Sequence, residues 1–245
     1  MEIHSHTHTP RKKWTHYLWE FLMLFLAVFC GFLAEYQLEH KIEKDREVQY
    51  IQSLIEDLET DTTNLKEIIN VFIRKDKDVD TLLALFPQLI KGYNEQLYQK
   101  LNAIRSFPDF IKADRTMQQL KNSGGMRLIR NKKSADAITD YDLINRNLDL
   151  YTQSLGDAFT YLKKSRYEIF DTEALENDRK NKTTAELQSG KENYLLKTDK
   201  QSLGKFNNEI RGFKAISQLV VKKEEKVIDH ATTLIKILKK EYHLQ

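Results

Sequence analysis

The sequence predicts an all-α protein: one N-terminal transmembrane helix continues into a long stalk helix, which packs with several long antiparallel helices in an extramembrane bundle. Three observations predict this fold. Charged residues make up 31% of the chain, while glycine and proline number only 8 and 3 among 245 residues, a composition that favours long helices over loop-rich or β-sandwich folds. One stretch near the N-terminus is apolar enough to cross a membrane. Apolar residues after it recur at helical spacing.

The apolar stretch covers residues 17–36, in which only Glu20 and Glu35 are polar. Twenty helical residues span about 30 Å, the thickness of the hydrocarbon core of a bilayer. Aromatic residues of the kind that anchor helices at membrane interfaces lie at its two ends: Trp14, Tyr17, Trp19 and Tyr36. We therefore predict a transmembrane helix over residues 14–37.

A cleavable signal peptide is the main alternative for this stretch. Cleavage requires small residues three positions and one position before the cut, and a cut before Glu35 would place the large Phe32 at the first of these. We therefore predict an uncleaved signal anchor. Three basic residues lie near each end of the span, but on the N-terminal side they form a compact block, residues 11–13. This block favours a cytoplasmic N-terminus.

This orientation gives a prediction for the whole chain. Residues 1–13 form a flexible cytoplasmic tail, and residues 38–50, rich in charge, form a solvated stalk. Residues 51–245 form a helical extracytoplasmic domain. The predicted location is the cytoplasmic (inner) membrane, crossed once, with the domain in the periplasm.

One face of the transmembrane helix is predicted to contact protein. At helical spacing four residues fall along one line: Glu20, Ala27, Gly31 and Ala34. Ala27 and Gly31 have the spacing that lets two helix backbones approach closely. The predicted partner is another membrane protein or a second copy of this chain. The alternative is that Glu20 lies at headgroup depth and that the small residues have no role in contact.

The rest of the chain divides into amphipathic segments and one polar segment. The first helix is predicted to continue to about residue 74 because apolar residues keep recurring at intervals of three and four residues. Further helices are predicted over residues 78–89, 93–104, 106 to about 122, 134–170 and 202–242. Ser106 would cap the helix at 106 and Pro108 would lie in its first turn. Residues 171–203 are polar with little periodicity and are predicted to form a long loop.

The C-terminal helix has the most regular pattern. Apolar residues repeat every seven positions, the spacing of a sustained helix–helix or coiled-coil contact: Phe206, Phe213, Val220, Val227 and Leu234. Ser217 and Glu224 interrupt the companion positions. The partner could be helices of the same chain or another subunit.

Few residues suggest chemistry. The alternating His4, His6 and His8 could bind a transition metal weakly, although a polar tail without a ligand is the simpler interpretation. The single Cys30 excludes an intrachain disulfide. No protease, hydrolase, redox or phosphate-loop motif occurs, and acidic and basic residues are interleaved without a nucleic-acid-binding patch. The sequence therefore predicts no enzyme activity, no cofactor and no nucleic-acid partner.

Two segments carry a family resemblance. The aromatic-flanked span runs into "YIQSLIEDLETDTTNLKEIIN", and "MQQLKNSGGMRLIRNKKSADAITDYD" follows later. Together they resemble a domain-of-unknown-function family of bacterial single-span envelope proteins. The resemblance implies a membrane-anchored helical domain and supplies no catalytic residues.

These observations predict a non-enzymatic, membrane-anchored accessory or structural protein that binds itself or a larger envelope complex. One alternative is a ligand sensor that works through a partner, because helical domains of this kind can bind small ligands. Another is a stator-like, proton-coupled subunit, because Glu20 is an acidic residue in the span.

Overall fold

The computed structural model describes residues 14–190 and 192–244, and it confirms the predicted all-α fold. It is 85% helical, and among the described residues the only β contact is an isolated bridge between Phe170 and Leu195. Within the described ranges, three short 3-10 helices accompany seven α-helices: α1 (Trp14–Leu85), α2 (Glu95–Lys100), α3 (Arg115–Asn122), α4 (Lys132–Ile169), α5 (Thr172–Asn181), α6 (Thr184–Ser189) and α7 (Lys200–Glu241).

The chain divides into two compact units, Met1–Tyr50 and Ile51–Gln245. The described part of the first unit is helical from Trp14 onward. The second unit contains the remainder of α1 and every later helix, so it holds the hydrophobic core of the bundle.

Helices α4 and α7 run antiparallel in the second unit. Near one end, Asn131, which caps α4, donates a 3.0 Å hydrogen bond to Glu241. Further along, Lys223 donates to Asn147 over 3.2 Å. At the other end Phe213 packs against Phe159, with ring centroids 6.0 Å apart. Along these three contacts the residue numbers rise on α4 while they fall on α7, so the two helices are antiparallel.

The bundle part of α1 also runs antiparallel to α7. The ammonium of Lys239 lies 3.2 Å from the carboxylate of Glu59, and Gln218 donates to Asp76 over 3.0 Å. The second unit is therefore built on three long helices, two of which, α1 and α4, run in the same direction.

A non-helical segment covers residues 105–114, and this differs from the predicted helix start at Ser106. Two carboxylates of α1 bind the end of this segment and the start of α3: Asp61 accepts a 2.7 Å hydrogen bond from the Ala113 N–H, and Asp57 accepts a 3.0 Å bond from the Thr116 N–H in the first turn of α3. These bonds hold the backbone against α1, and α3 begins only at Arg115.

The predicted long loop at residues 171–203 is wrong over much of its length, because α5 and α6 lie within it. Local capping drives both helices. Asp171 accepts a bond from the Ala174 N–H at the start of α5, and Thr183 and Glu186 form a reciprocal capping box at the start of α6. Short capped helices lack the long apolar period that reveals a helix in a sequence.

Other helix boundaries differ in smaller ways. Helix α1 continues to Leu85 and includes most of the helix predicted over 78–89, and Pro87 lies in the 3-10 turn that follows. The helix predicted over 93–104 is α2 followed by a 3-10 turn. Gly124 has a φ of 68°, the left-handed conformation expected for a glycine after a helix.

Candidate functional site

The apolar segment of α1 carries more than half of the exposed large hydrophobic side chains among the described residues. Every residue from 17 to 36 is exposed, and α1 is long and apolar enough to cross a membrane. No residue of this apolar window is buried against other parts of the chain. A helix in the core of a soluble domain would instead be covered by its neighbours.

The four predicted interface anchors are exposed at the ends of this segment. On the C-terminal side, the Tyr36 ring packs edge-on against His40, with centroids 4.3 Å apart. On the N-terminal side, His16 Nδ1 lies 3.4 Å from a carboxylate oxygen of Glu20. Polar and aromatic groups therefore gather at both ends of the apolar segment, the arrangement that suits two membrane–water interfaces.

The predicted contact face is also exposed along its length. Glu20, Ala27, Gly31 and Ala34 are all exposed, and a Cβ added to Gly31 would meet no described atom within 4 Å. The other side of the helix carries a ladder of rings, in which Phe25 stacks on Phe29 with centroids 6.0 Å apart. The two sides differ in bulk, as a helix with one protein-facing and one lipid-facing side would.

The repeat on α7 lies in the core of the second unit. Its five members, Phe206, Phe213, Val220, Val227 and Leu234, are all buried. The two interrupting residues, Ser217 and Glu224, are buried with them. Helix α4 of the same chain packs against α7, so an intrachain helix covers this repeat.

Glu224 is the most unusual of the buried polar groups. Its side chain is 2% exposed, and its Oε2 has no hydrogen-bond partner. Burial raises the pKa of this carboxyl from 4.5 to about 8. Ser217, one heptad earlier, satisfies its hydroxyl by donating to the Phe213 carbonyl over 2.7 Å.

Asp57 and Asp61 border a second polar site, a cavity of about 120 Å³ between α1, α3 and α4. Burial raises the pKa of Asp61, while the hydrogen bond that its carboxylate accepts from the Ala113 N–H lowers this pKa by a smaller amount. Tyr141 donates a long 3.4 Å bond to the same carboxylate. The sequence analysis missed this site, although a signal exists: Asp61 lies between the buried Leu58 and Leu65 at core spacing.

Metal binding by His4, His6 and His8 concerns residues outside the described ranges. Across 14–190 and 192–244, no group of three or more histidine, cysteine, aspartate or glutamate side chains could hold a metal ion. Cys30 is exposed with a free thiol.

Comparison with family models, curated proteins and solved structures finds no match to this chain. The resemblance to a family of single-span envelope proteins therefore stays a prediction.

Proposed function

We propose that this chain is a non-enzymatic accessory protein of the bacterial inner membrane, in which the apolar segment of α1 is the anchor and the second unit is a periplasmic helical domain. The anchor face formed by Glu20, Ala27, Gly31 and Ala34 binds a membrane partner, which is a larger complex or a second copy.

One observation carries this proposal: a helix segment of membrane-spanning length whose residues 17–36 are all exposed. Exposing twenty mostly apolar residues to water would be unfavourable by roughly 25 cal/mol for each Å² of apolar surface. A bilayer removes this cost for the whole circumference of the helix. The core of the second unit does not use these residues, because every buried apolar side chain among the described residues lies between Ile51 and Leu238.

The anchor is tested by membrane extraction and protease protection. We expect the full chain to stay in the membrane pellet after carbonate treatment. A protease added outside spheroplasts should degrade the second unit. Release by carbonate would contradict anchoring, and protection of the second unit would contradict the proposed orientation.

The contact face is tested with Gly31→Leu, because a leucine there adds bulk where close backbone approach is proposed. Leu22→Phe is the matched control, since it adds bulk on the opposite side of the helix. In mild detergent, native mass spectrometry of the wild type should show a second copy or a co-purifying subunit. We expect Gly31→Leu to lose that species and Leu22→Phe to keep it. A wild-type protein that is a lone monomer would contradict the partner.

A further inference from the structure

A pocket of about 350 Å³ lies on the second unit where the end of a 3-10 turn, α4 and α5 meet. Its walls combine basic and aromatic side chains with one carboxylate: Arg105, Phe159, Lys163, Arg166, Tyr167 and Glu176. The volume is at the small end of the range for pockets that bind small molecules.

The charge of this pocket is unbalanced. Three cations, Arg105, Lys163 and Arg166, face a single carboxylate, that of Glu176. The two arginines come from different elements, yet they are close enough for Arg105 to lower the pKa of Arg166, in addition to the larger lowering by burial. Bringing two guanidinium groups together costs free energy unless an anion lies between them.

The cations of this pocket also lack strong partners within the described part of the chain. The Arg105 guanidinium donates only a long 3.4 Å bond to Asn102, and the Lys163 ammonium lies 6.0 Å above the Tyr167 ring. No hydrogen bond or ion pair of the Arg166 guanidinium occurs among residues 14–190 and 192–244. Its planar fork of five N–H donors is half-buried and available to an acceptor.

Two other arginines of the second unit are paired with carboxylates. Arg146, on the same helix α4, lies 3.2 Å from the carboxylate of Asp142, and Arg179 pairs with Glu95 and the Tyr93 hydroxyl. The Arg166 guanidinium differs from these two because no carboxylate among the described residues pairs with it.

We propose that this pocket binds a small organic anion, whose carboxylate or phosphate group is held by Arg105 and Arg166 and whose apolar part contacts Phe159 and Tyr167. Guanidinium groups match the geometry of both oxyanions, and Lys163 adds a third positive charge. This proposal does not depend on the membrane anchor. A ligand bound in the pocket would give the second unit a signal to which partner proteins could respond.

The test is isothermal titration calorimetry on the full chain in a non-ionic detergent. The probes are phenyl phosphate, benzoate, inorganic phosphate and a soluble short-chain phosphatidic acid. We expect saturable binding of phenyl phosphate and weaker binding of inorganic phosphate, because the latter lacks an apolar part. If phosphatidic acid binds more tightly than phenyl phosphate, the organic anion is a lipid headgroup.

Variants separate a built site from general positive charge. Arg166→Gln should weaken phenyl phosphate binding about ten- to a hundredfold, the effect of losing a charged hydrogen-bond donor. Arg146→Gln removes the same charge from the same helix and should leave binding unchanged. Lys163→Gln, at an exposed position, should weaken binding without affecting folding, which circular dichroism would verify.

Three results would overturn the proposal. The first is no saturable binding of any probe. The second is equal weakening by Arg146→Gln and Arg166→Gln, which would indicate attraction by net charge alone. The third is equal affinity for inorganic phosphate and phenyl phosphate, which would show that the pocket does not recognise the organic part of the ligand.

Discussion

At the scale of single residues, the buried acidic side chains of the bundle fall into two kinds. Asp57 and Asp61 accept hydrogen bonds from backbone N–H groups, so the cost of removing their charge from water is partly recovered. Glu224 has an orphaned carboxylate oxygen instead. Glu224 keeps its proton and so avoids the larger free-energy cost of a buried charge, in agreement with its raised pKa.

This difference predicts a pH-dependent stability. The folded Glu224 carboxyl titrates with a pKa of about 8 and the unfolded one near 4.5, so between these values the folded state holds a proton that the unfolded state releases. The free energy of unfolding should therefore fall as pH rises from about 5 to 8. We expect Glu224→Gln to gain up to about 4 kcal/mol over the wild type at pH 8, at roughly 1.4 kcal/mol per pKa unit.

Denaturant unfolding of both proteins at pH 5 and pH 8 measures this effect. The neighbouring Glu225 is exposed and gives a matched control, because Glu225→Gln makes the same substitution at a position that is not buried. The pH dependence of the control should follow that of the wild type. An identical pH dependence in Glu224→Gln would show that Glu224 does not cause the effect.

At the scale of elements, two carboxylates of α1 hold a backbone segment more than fifty residues away in sequence. Without the Asp61 carboxylate, the Ala113 N–H would lose its acceptor, at a cost of about 1–3 kcal/mol. We expect Asp61→Ala to raise hydrogen exchange and proteolysis within residues 105–114 before the long helices are affected.

Asp109→Ala is the control for this experiment, since Asp109 is an exposed residue of the same segment. It should leave exchange in residues 105–114 close to that of the wild type. Unchanged exchange in Asp61→Ala would mean that other contacts hold the segment, such as the bonds from Lys75 to the carbonyls of Ala103 and Ser106.

The same elements show how much of the fold can be predicted from sequence. The long helices were predictable because their apolar residues recur over many turns, as those of α4 and α7 do. Ser106 and Pro108 form a good local helix start, but the Ala113 and Thr116 N–H groups that follow donate tertiary hydrogen bonds to Asp61 and Asp57, and these bonds override it. Local propensity cannot reveal an acceptor that lies on another helix.

The candidate sites also differ in whether the sequence alone reveals them. The residues Glu20, Ala27, Gly31 and Ala34 could be placed along one line of a helix because the helical period is known, and their contact with a partner stays a prediction. The pocket at Arg105 and Arg166 could not, since its cations come from segments that are separated in sequence and meet only in the folded bundle. In the sequence Arg105 has no adjacent cation, and Arg166 ends the short basic run 163–166, which does not reveal the distant Arg105.

At the scale of the whole molecule, the division at Tyr50 and Ile51 predicts a separable domain. We expect residues 51–245 expressed alone to be soluble without detergent and fully helical by circular dichroism. The full chain should need detergent, because residues 17–36 stay exposed. Detergent-dependent solubility of the fragment would show that the second unit has an apolar surface of its own that needs cover.

The pairing of α1 with α7 also has a consequence for the order of folding. Asp76 and Gln218 are 142 residues apart in sequence, whereas Asn147 and Lys223 are 76 apart. Longer chain closures cost more entropy and slow the search for contacts. We therefore expect the contact between α4 and α7 to form before the contact between α1 and α7. During refolding, dye pairs attached at positions 147 and 223 should approach one another before pairs attached at positions 76 and 218, so the contact that joins the two ends of the second unit would be the last to close.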